Sequence, residues 1–316
     1  MRLVTFERES ALRLGAEHDG HFIDLNRAYA FRLAAAGCAD FQARADRELP
    51  ADMLAFLDAW VDTRARAREA LQFGQGLLKQ GGPMAGAVAS PTTAVRRRAP
   101  ILNPRKLICL GQNYADHAAE SNAPVPSEPI LFSKYATAII GPDDPIRLPG
   151  VSQQVDFEVE LACILGRGGR HIRKEHALEH VAGYTVFHDV SARDYQIGKP
   201  GKQWMAGKSF DTFAPMGPAL VTADEIADPH ALDIRCTLSG EVMQSSNTRH
   251  LIFPIPEIIA YCSHIFTLEP GDVIATGTPG GIGYARNPKR FLRDGDIVVM
   301  EVSGVGVLRN PVKAEA

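Results

Sequence analysis

Hydrophobic positions fall into two textures along the chain, and the change comes near residue 100. In the first stretch, short apolar runs at 3–6 and 22–25 read as strands, the second closing on the N-cap-like residues Asp24 and Asn26. From residue 52 to about 78, Leu54, Leu57, Val61, Ala65 and Leu71 recur at roughly helical spacing, leaving Arg64, Arg66 and Arg68 for the polar side. The run GGPMAGAVASPTT at 81–93 breaks that period and predicts a connector. Beyond residue 100 the apolar runs are short and bounded by Gly, Pro and Asp: KLICLG (106–111), EVELACILG (158–166), GYTVFHDV (183–190), DVIATG (272–277) and DIVVMEV (296–302). Helical stretches interrupt them only near 115–121, 174–181 and 256–263. Many short strands with few helices predict an α+β, mostly β chain rather than a βαβ winding. The same change of texture predicts a small N-terminal domain at 1–98 and a larger domain at 99–316.

Composition narrows the function classes. Among 316 residues, 28 glycines and 21 prolines supply the turns that many strands need. A hydrophobic fraction of 45% with 22% charged residues excludes a disordered chain. Apolar stretches are far too short to span a bilayer. The net charge of −3 offers no basic excess for nucleic acid, and three residues, Arg96–Arg98, are too few for a phosphate patch. That run reads as a solvated linker edge. MRLVTFERES has no apolar signal segment, so a cytosolic (cytoplasmic) protein is expected. Five scattered cysteines without a C-x-x-C pair predict neither a disulfide framework nor a zinc site, and most read as small buried hydrophobes.

The sharpest chemistry lies in VDFEVELA (155–162). Strand residues two apart share a face, so Glu158 and Glu160 lie together while Phe157, Val159 and Leu161 line the other side. Asp156 is in phase with them. Buried like charges repel and lose hydration unless a cation compensates, and a divalent metal does so. An edge strand with a solvated charged face fits the bare pattern equally. Asp189, where the run 183–190 gives way to a loop, adds a third carboxylate. His188 points to the opposite face by strand alternation and is set aside. Three carboxylates without Cys or paired His are hard-oxygen chemistry, suited to Mg²⁺ or Mn²⁺, with Ca²⁺ also admitted.

Other candidates surround that cluster. His117 and Glu120 stand three apart and meet on one face if their segment is helical, the arrangement of an oriented general base. Such pairs are also common on solvated helices. Lys208 is a lone lysine in the apolar setting AGKSFDTFAPMGP, either a snorkelling surface group or a charge held beside carboxylates. Its GKS triplet fails as a phosphate loop by one residue of spacing. Arg193 and Gln196 follow Asp189 and suit a substrate carboxylate. In ATGTPGGIG (275–283), Thr278 and the turn amides suit an anion, but no dinucleotide fingerprint is present.

Taken together, these residues resemble the fumarylacetoacetate hydrolase family, metal-dependent C–C hydrolases of β-diketone-type acids. The resemblance covers about residues 100–312 and rests on eight segments in the family's order. They are GQNYADHAAE, PILFSKYATAIIG, VDFEVELACILG, FHDVSARDYQ, GKSFDTFAPMGP, LSGEVMQSSNT, LEPGDVIATGTPGGIG and DGDIVVMEVSGVGVLRNPV. It implies a mixed β-sandwich roll with a smaller N-terminal α+β domain, assembled as a homodimer. It implies that Glu158, Glu160 and Asp189 hold the metal, and that His117 and Glu120 activate water. By the same resemblance Lys208 steadies oxyanion charge, while Arg193, Gln196 and Thr278 contact the substrate's acid end. Two departures bear on specificity: Tyr135 follows Lys134 where the F-x-K-P motif has proline, and Gln112 stands where some acylpyruvate-cleaving members carry arginine.

The reaction expected on this basis is Mg²⁺-dependent hydrolysis of a 2,4-dioxo acid of the acylpyruvate, fumarylpyruvate or diketo-deoxy sugar acid kind. Water activated by His117 attacks the distal carbonyl, and a pyruvate-type enolate and a carboxylic acid result. The same metal–enolate site also suits a 2-oxo acid decarboxylase, hydratase or isomerase. A metal- and oxo-acid-binding protein without turnover is the alternative of another class. The partner expected is a small 2-oxo acid, with neither nucleic acid nor membrane involved.

Overall fold

A computed structural model describes residues 1–120 and 124–315, with the side chains of residues 117–119 outside the description. The strand rhythm of the sequence resolves into a mixed sheet of 12 strands, a 5-stranded sheet and a 2-stranded pair. In the large sheet, Ala214–Thr222, Val181–His188 and Val159–Leu165 lie side by side and antiparallel. Every residue of these three strands is buried, which explains their near-continuous apolar runs. The sheet continues through Val273–Ala275 to Leu107–Gly111, a parallel neighbour, and ends at the edge strand Ile130–Ser133. The result is the α+β architecture expected from the many short apolar runs.

The 5-stranded sheet contains Asp233–Leu238, Ile297–Val302 and Gly306–Ala314 in an antiparallel row. Its alternating pattern turns Ile234, Cys236, Met300, Val302 and Leu308 into the apolar core that it shares with the large sheet. Packing two sheets face to face leaves their loop ends close together, and the candidate site occupies one such end.

The first 98 residues are more regular than their sequence suggests. Strand Arg2–Arg8 pairs with Ala214–Thr222, Leu3 opposite Leu220, so the N-terminal strands extend the same large sheet. Asp24 closes strand His21–Asp24 and caps helix Leu25–Ala35 by accepting from the Arg27 N–H at 3.0 Å. That helix escaped the sequence reading because its Ala-rich sequence carries almost no periodic apolar face. The expected helix at 52–78 is two, Met53–Asp58 and Trp60–Gln80, divided at Ala59. The expected connector at 81–93 contains helix Pro83–Val88 and strand Ala89–Pro91. Arg96–Arg98 is a strand paired with Arg2–Arg8 and not a linker edge. Acidic partners explain its charge, Glu17 lying 3.1 Å from Arg97 and Glu7 3.5 Å from Arg98.

Four of the five free cysteines are buried, and Cys38 is half-buried. Among the described residues, no helix is long and apolar enough to cross a membrane.

Candidate active site

The register of two central strands brings the predicted carboxylates together. Val159 lies opposite His188, so Glu158, just before one strand, and Asp189, just after the other, meet at the same end. The Asp189 N–H donates to the Glu158 carbonyl at 3.0 Å and closes that end. Glu160, one pleat along from Glu158, shares its side. One oxygen from each of Glu158, Glu160 and Asp189 lies within 4.8 Å of the others, and all three residues are buried. Asp156 does not extend the acidic face, because the strand breaks at Phe157 and Glu158. It accepts instead from Arg193 Nε and from the N–H groups of Gly283 and Tyr284, anchoring a loop.

Three buried anions require countercharge, and two buried lysines and an arginine provide it. Lys208 Nζ donates to Glu158 Oε2 at 2.8 Å, Asp189 Oδ2 at 2.7 Å and Ser191 Oγ at 2.8 Å. Burial opposes its charge, but Asp189 and Glu158 outweigh it and hold the ammonium above the ordinary lysine range. Lys134 Nζ donates to Asp189 Oδ1 at 2.6 Å and to the carbonyls of Val190 and Phe213. Here burial prevails over Asp189 and lowers the lysine. Arg193 Nη2 donates to Glu158 Oε1 at 2.6 Å. Among the described residues Glu160 has no cation partner of its own: Gly277 N–H donates to Oε2 at 2.8 Å, and buried Oε1 has no partner there. Burial first, then the charges of Asp189 and Glu158, push this carboxyl well above the usual carboxylate range. An unpartnered carboxylate oxygen beside two more carboxylates fits a hard divalent cation, and an all-oxygen donor set favours the same class.

His188 stays out of the cluster, as strand alternation predicts. Burial, with Lys134 adding to it, holds its imidazole down to about 3, so the ring is neutral.

A cavity of about 440 Å³ opens over the cluster, lined by Glu158, Lys208, Arg193, Gln196, Thr278 and Glu120. Six of the nine predicted site residues therefore face one space. Glu160 and Asp189 lie beneath it. Helix Ala115–Glu120 forms part of the rim; the His117 side chain lies outside the described residues, so the dyad's geometry does too. Glu120 accepts from the Gly281 N–H through both carboxylate oxygens, at 2.9 and 3.0 Å. Gln196 Oε1 accepts from Arg193 Nη1. The Thr278 hydroxyl is committed to structure, donating to the Val159 carbonyl at 2.9 Å and accepting from Gln244 Nε2 at 2.8 Å.

Gln244, Lys202 and Trp204 escaped the sequence reading, and Lys134 was noted only as part of a motif. Lys134 carried the signal that marked Lys208, a lone lysine at the end of an apolar run, ILFSK. Trp204 covers Gly111, where a Cβ would come within 2.4 Å of the indole, and meets Phe132 edge-on at 5.6 Å. Gln244 had no local signal, because its partners are far away in sequence.

Fold and site define the class. Residues 106–313 match the family Fumarylacetoacetate (FAA) hydrolase C-terminal, and the chain belongs to this family of enzymes. It is 46% identical over 316 residues to oxaloacetate tautomerase fahd2, mitochondrial, of Xenopus laevis, covering 99% of this chain and 90% of that protein. Its structure resembles that of a putative HpcE protein from Mycobacterium smegmatis, with a TM-score of 0.82, 35% identity and all of both chains covered. It also resembles maleylpyruvate hydrolase from Sphingobium sp. SYK-6 in complex with manganese (II) ion and pyruvate, with a TM-score of 0.75, 29% identity and both chains fully covered. The tautomerase relationship overturns the expectation of C–C hydrolysis. The motifs report the cluster that the family shares, and not which bond the substrate loses over it.

Proposed function

We propose that this protein is an isomerase that interconverts the enol and keto forms of a 2-oxo dicarboxylic acid of the oxaloacetate class. One observation carries the reading: the Glu158–Lys208 pair and Glu120 face a single cavity in a chain 46% identical, along nearly its whole length, to an oxaloacetate tautomerase. Tautomerisation moves one proton between C3 and the 2-oxygen and breaks no bond between carbons. A site for it needs a group to move that proton and a positive field to hold the enolate in between. Water need not attack, so the rim carboxylate serves as a proton carrier instead of a water activator.

Glu158, Glu160 and Asp189 would hold a divalent cation, Mg²⁺ first and Mn²⁺ or Ca²⁺ as alternatives. When bound, such an ion supplies Lewis-acid stabilisation of enolate charge. Lys208 keeps its ammonium charge against the cavity wall, where the 2-oxygen gains negative charge. Glu120, held by Gly281 and assisted by His117, takes a proton from C3 and passes it to the 2-oxygen, or carries it the other way from enol to keto. Arg193 and Gln196 orient the substrate's acid end, Arg193 doing so while fixing Glu158. Thr278 shapes the wall that this end meets.

By the family resemblance we also propose a homodimer, and by the change of texture near residue 100 a division of the chain into units 1–98 and 99–316. The cytoplasmic location expected from the sequence is not supported by the relatives, which are named as mitochondrial proteins. Sedimentation at micromolar concentration tests the dimer.

The function is tested by stopped-flow absorbance of enol-oxaloacetate mixed with protein and Mg²⁺. Enol decay accelerated in proportion to protein supports the proposal. Decay at the buffer rate, or decay accompanied by stoichiometric release of CO₂, contradicts it.

A further inference from the structure

Each carboxylate of the cluster has one oxygen tied to a donor that cannot follow it elsewhere. Glu160 Oε2 is held by the backbone N–H of Gly277, Glu158 Oε1 by Arg193 Nη2, and Asp189 Oδ1 by Lys134 Nζ. These donors are themselves fixed. Gly277 sits at a φ of +96°, with the Asn113 Cβ 2.8 Å from where its own Cβ would be. Arg193 is clamped through Nε to Asp156 at 2.8 Å. Lys134, its side chain fully enclosed, is clamped to two main-chain carbonyls, at 3.1 Å for Val190 and 2.5 Å for Phe213. The second oxygens differ. Those of Glu158 and Asp189 share the Lys208 ammonium, and that of Glu160 has no partner among the described residues.

We infer that these three donors limit every carboxylate to one metal-binding oxygen, and that Lys134, as a positioning residue on Asp189, thereby makes the cluster select Mg²⁺ or Mn²⁺ over Ca²⁺. The inference rests on the metal-site reading above. Ca²⁺ takes six to eight oxygens and often grips a carboxylate by both, whereas Mg²⁺ takes six at short distance and keeps several waters (general values of about 2.4 and 2.1 Å). To offer Ca²⁺ both oxygens, Asp189 must release Lys134 and leave a buried ammonium without its carboxylate. A small octahedral ion asks for one oxygen from each carboxylate and leaves all three locks closed. Charge alone does not produce this preference, since both ions carry the same charge.

Titration calorimetry with MgCl₂, MnCl₂ and CaCl₂ on the wild-type protein, Lys134→Met and Lys134→Gln tests it without reference to turnover. Methionine removes both the charge and the donor; glutamine removes the charge and keeps an N–H for Asp189 Oδ1. The expected result is a shift of the Ca²⁺/Mg²⁺ affinity ratio toward Ca²⁺ by at least about threefold in Lys134→Met, with Lys134→Gln near the wild-type ratio. Equal changes for all ions in both variants, at constant ratio, overturn the lock and leave only charge compensation. If Lys134→Met does not fold, the wild-type protein decides: Mg²⁺ bound at least about tenfold more tightly than Ca²⁺ supports the lock, and Ca²⁺ bound as tightly as Mg²⁺ overturns it. Failure of the wild-type protein to bind any of the three ions overturns the metal-site reading, and the lock with it.

Discussion

The floor of the cavity and its rim are held in different ways. On the floor, three carboxylates and two lysines are buried, their positions set by strand register and by donors from four chain segments. On the rim, helix Ala115–Glu120 has six residues, too few to be stable alone, and exposed Glu120 is fastened to the Gly281 amide. Asp116 adds a contact with Ser246 at 3.3 Å. Preorganised charge belongs on a rigid base, where it need not rearrange during reaction. A proton carrier belongs on an element that can yield to let substrate enter. On the function proposed above, charge stabilisation belongs to the floor and proton transfer to the rim.

Glu160→Gln should have the largest effect. Losing one ligand from the floor should reduce tautomerase turnover by about 10³-fold, the several kcal/mol that a bound cation contributes to charge stabilisation. The melting temperature in EDTA should not fall, because the change removes a carboxyl that burial and two neighbouring carboxylates disfavour as an anion. Calorimetry and enol-decay rates check both; a fall in stability matching the lost activity would assign Glu160 a structural role. Glu120→Gln on the rim should lower kcat by about 10²-fold, as for loss of a general base. Its Mg²⁺ affinity should stay at the wild-type value, and weaker metal binding would break the division between floor and rim.

Smaller effects sharpen the same division. Buried Asn113, at the root of the rim helix, donates to the carbonyls of Phe253 and Thr276 and accepts from the Phe253 N–H. Asn113→Ala should cost about 3 kcal/mol in urea unfolding, one for each hydrogen bond. The smallest effect lies away from both regions. His230 Nε2 accepts the Ile255 N–H at 3.1 Å where helix Ile255–Ile265 begins, and burial holds the imidazole below its ordinary value against the pull of Asp228. The folded state therefore binds this proton less readily than the unfolded chain does. Stability from His230 is present above the unfolded value of 6.5 and lost as pH falls through the lower folded value. Between about pH 8 and pH 5 the loss should be roughly 1 kcal/mol, one capping hydrogen bond, and His230→Ala should flatten that arm of the urea midpoint curve.

Much of the floor was legible because its signals are local. Glu158 and Glu160 two apart in an apolar run, and Asp189 at the end of another, announce buried charge to anyone counting strand faces. Lys208 and Lys134 announce themselves as single charges in apolar surroundings, although only Lys208 was read that way. The fold class followed from the same short runs bounded by glycine and proline. Gln244 was not legible, since its partner Val159 is 85 residues away, and the turn amides read as suited to an anion gave no sign that the anion at Gly277 is Glu160, 117 residues away. Helix Leu25–Ala35 was missed because alanine-rich packing leaves little periodic contrast. The expected reaction differs because the eight matching segments mark the family as a whole, whereas the tautomerase relationship lies in identity spread along nearly the whole chain.

The most direct test of the central claim follows oxaloacetate by ¹H NMR in D₂O with Mg²⁺ and catalytic protein. A tautomerase moves the C3 protons and leaves the carbon skeleton whole. C3 exchange, corrected for buffer, is expected to rise with protein concentration and to outrun the pyruvate methyl signal, and Glu160→Gln is expected to return it to the buffer rate. Pyruvate appearing as fast as exchange, or exchange no faster than in buffer, would contradict it.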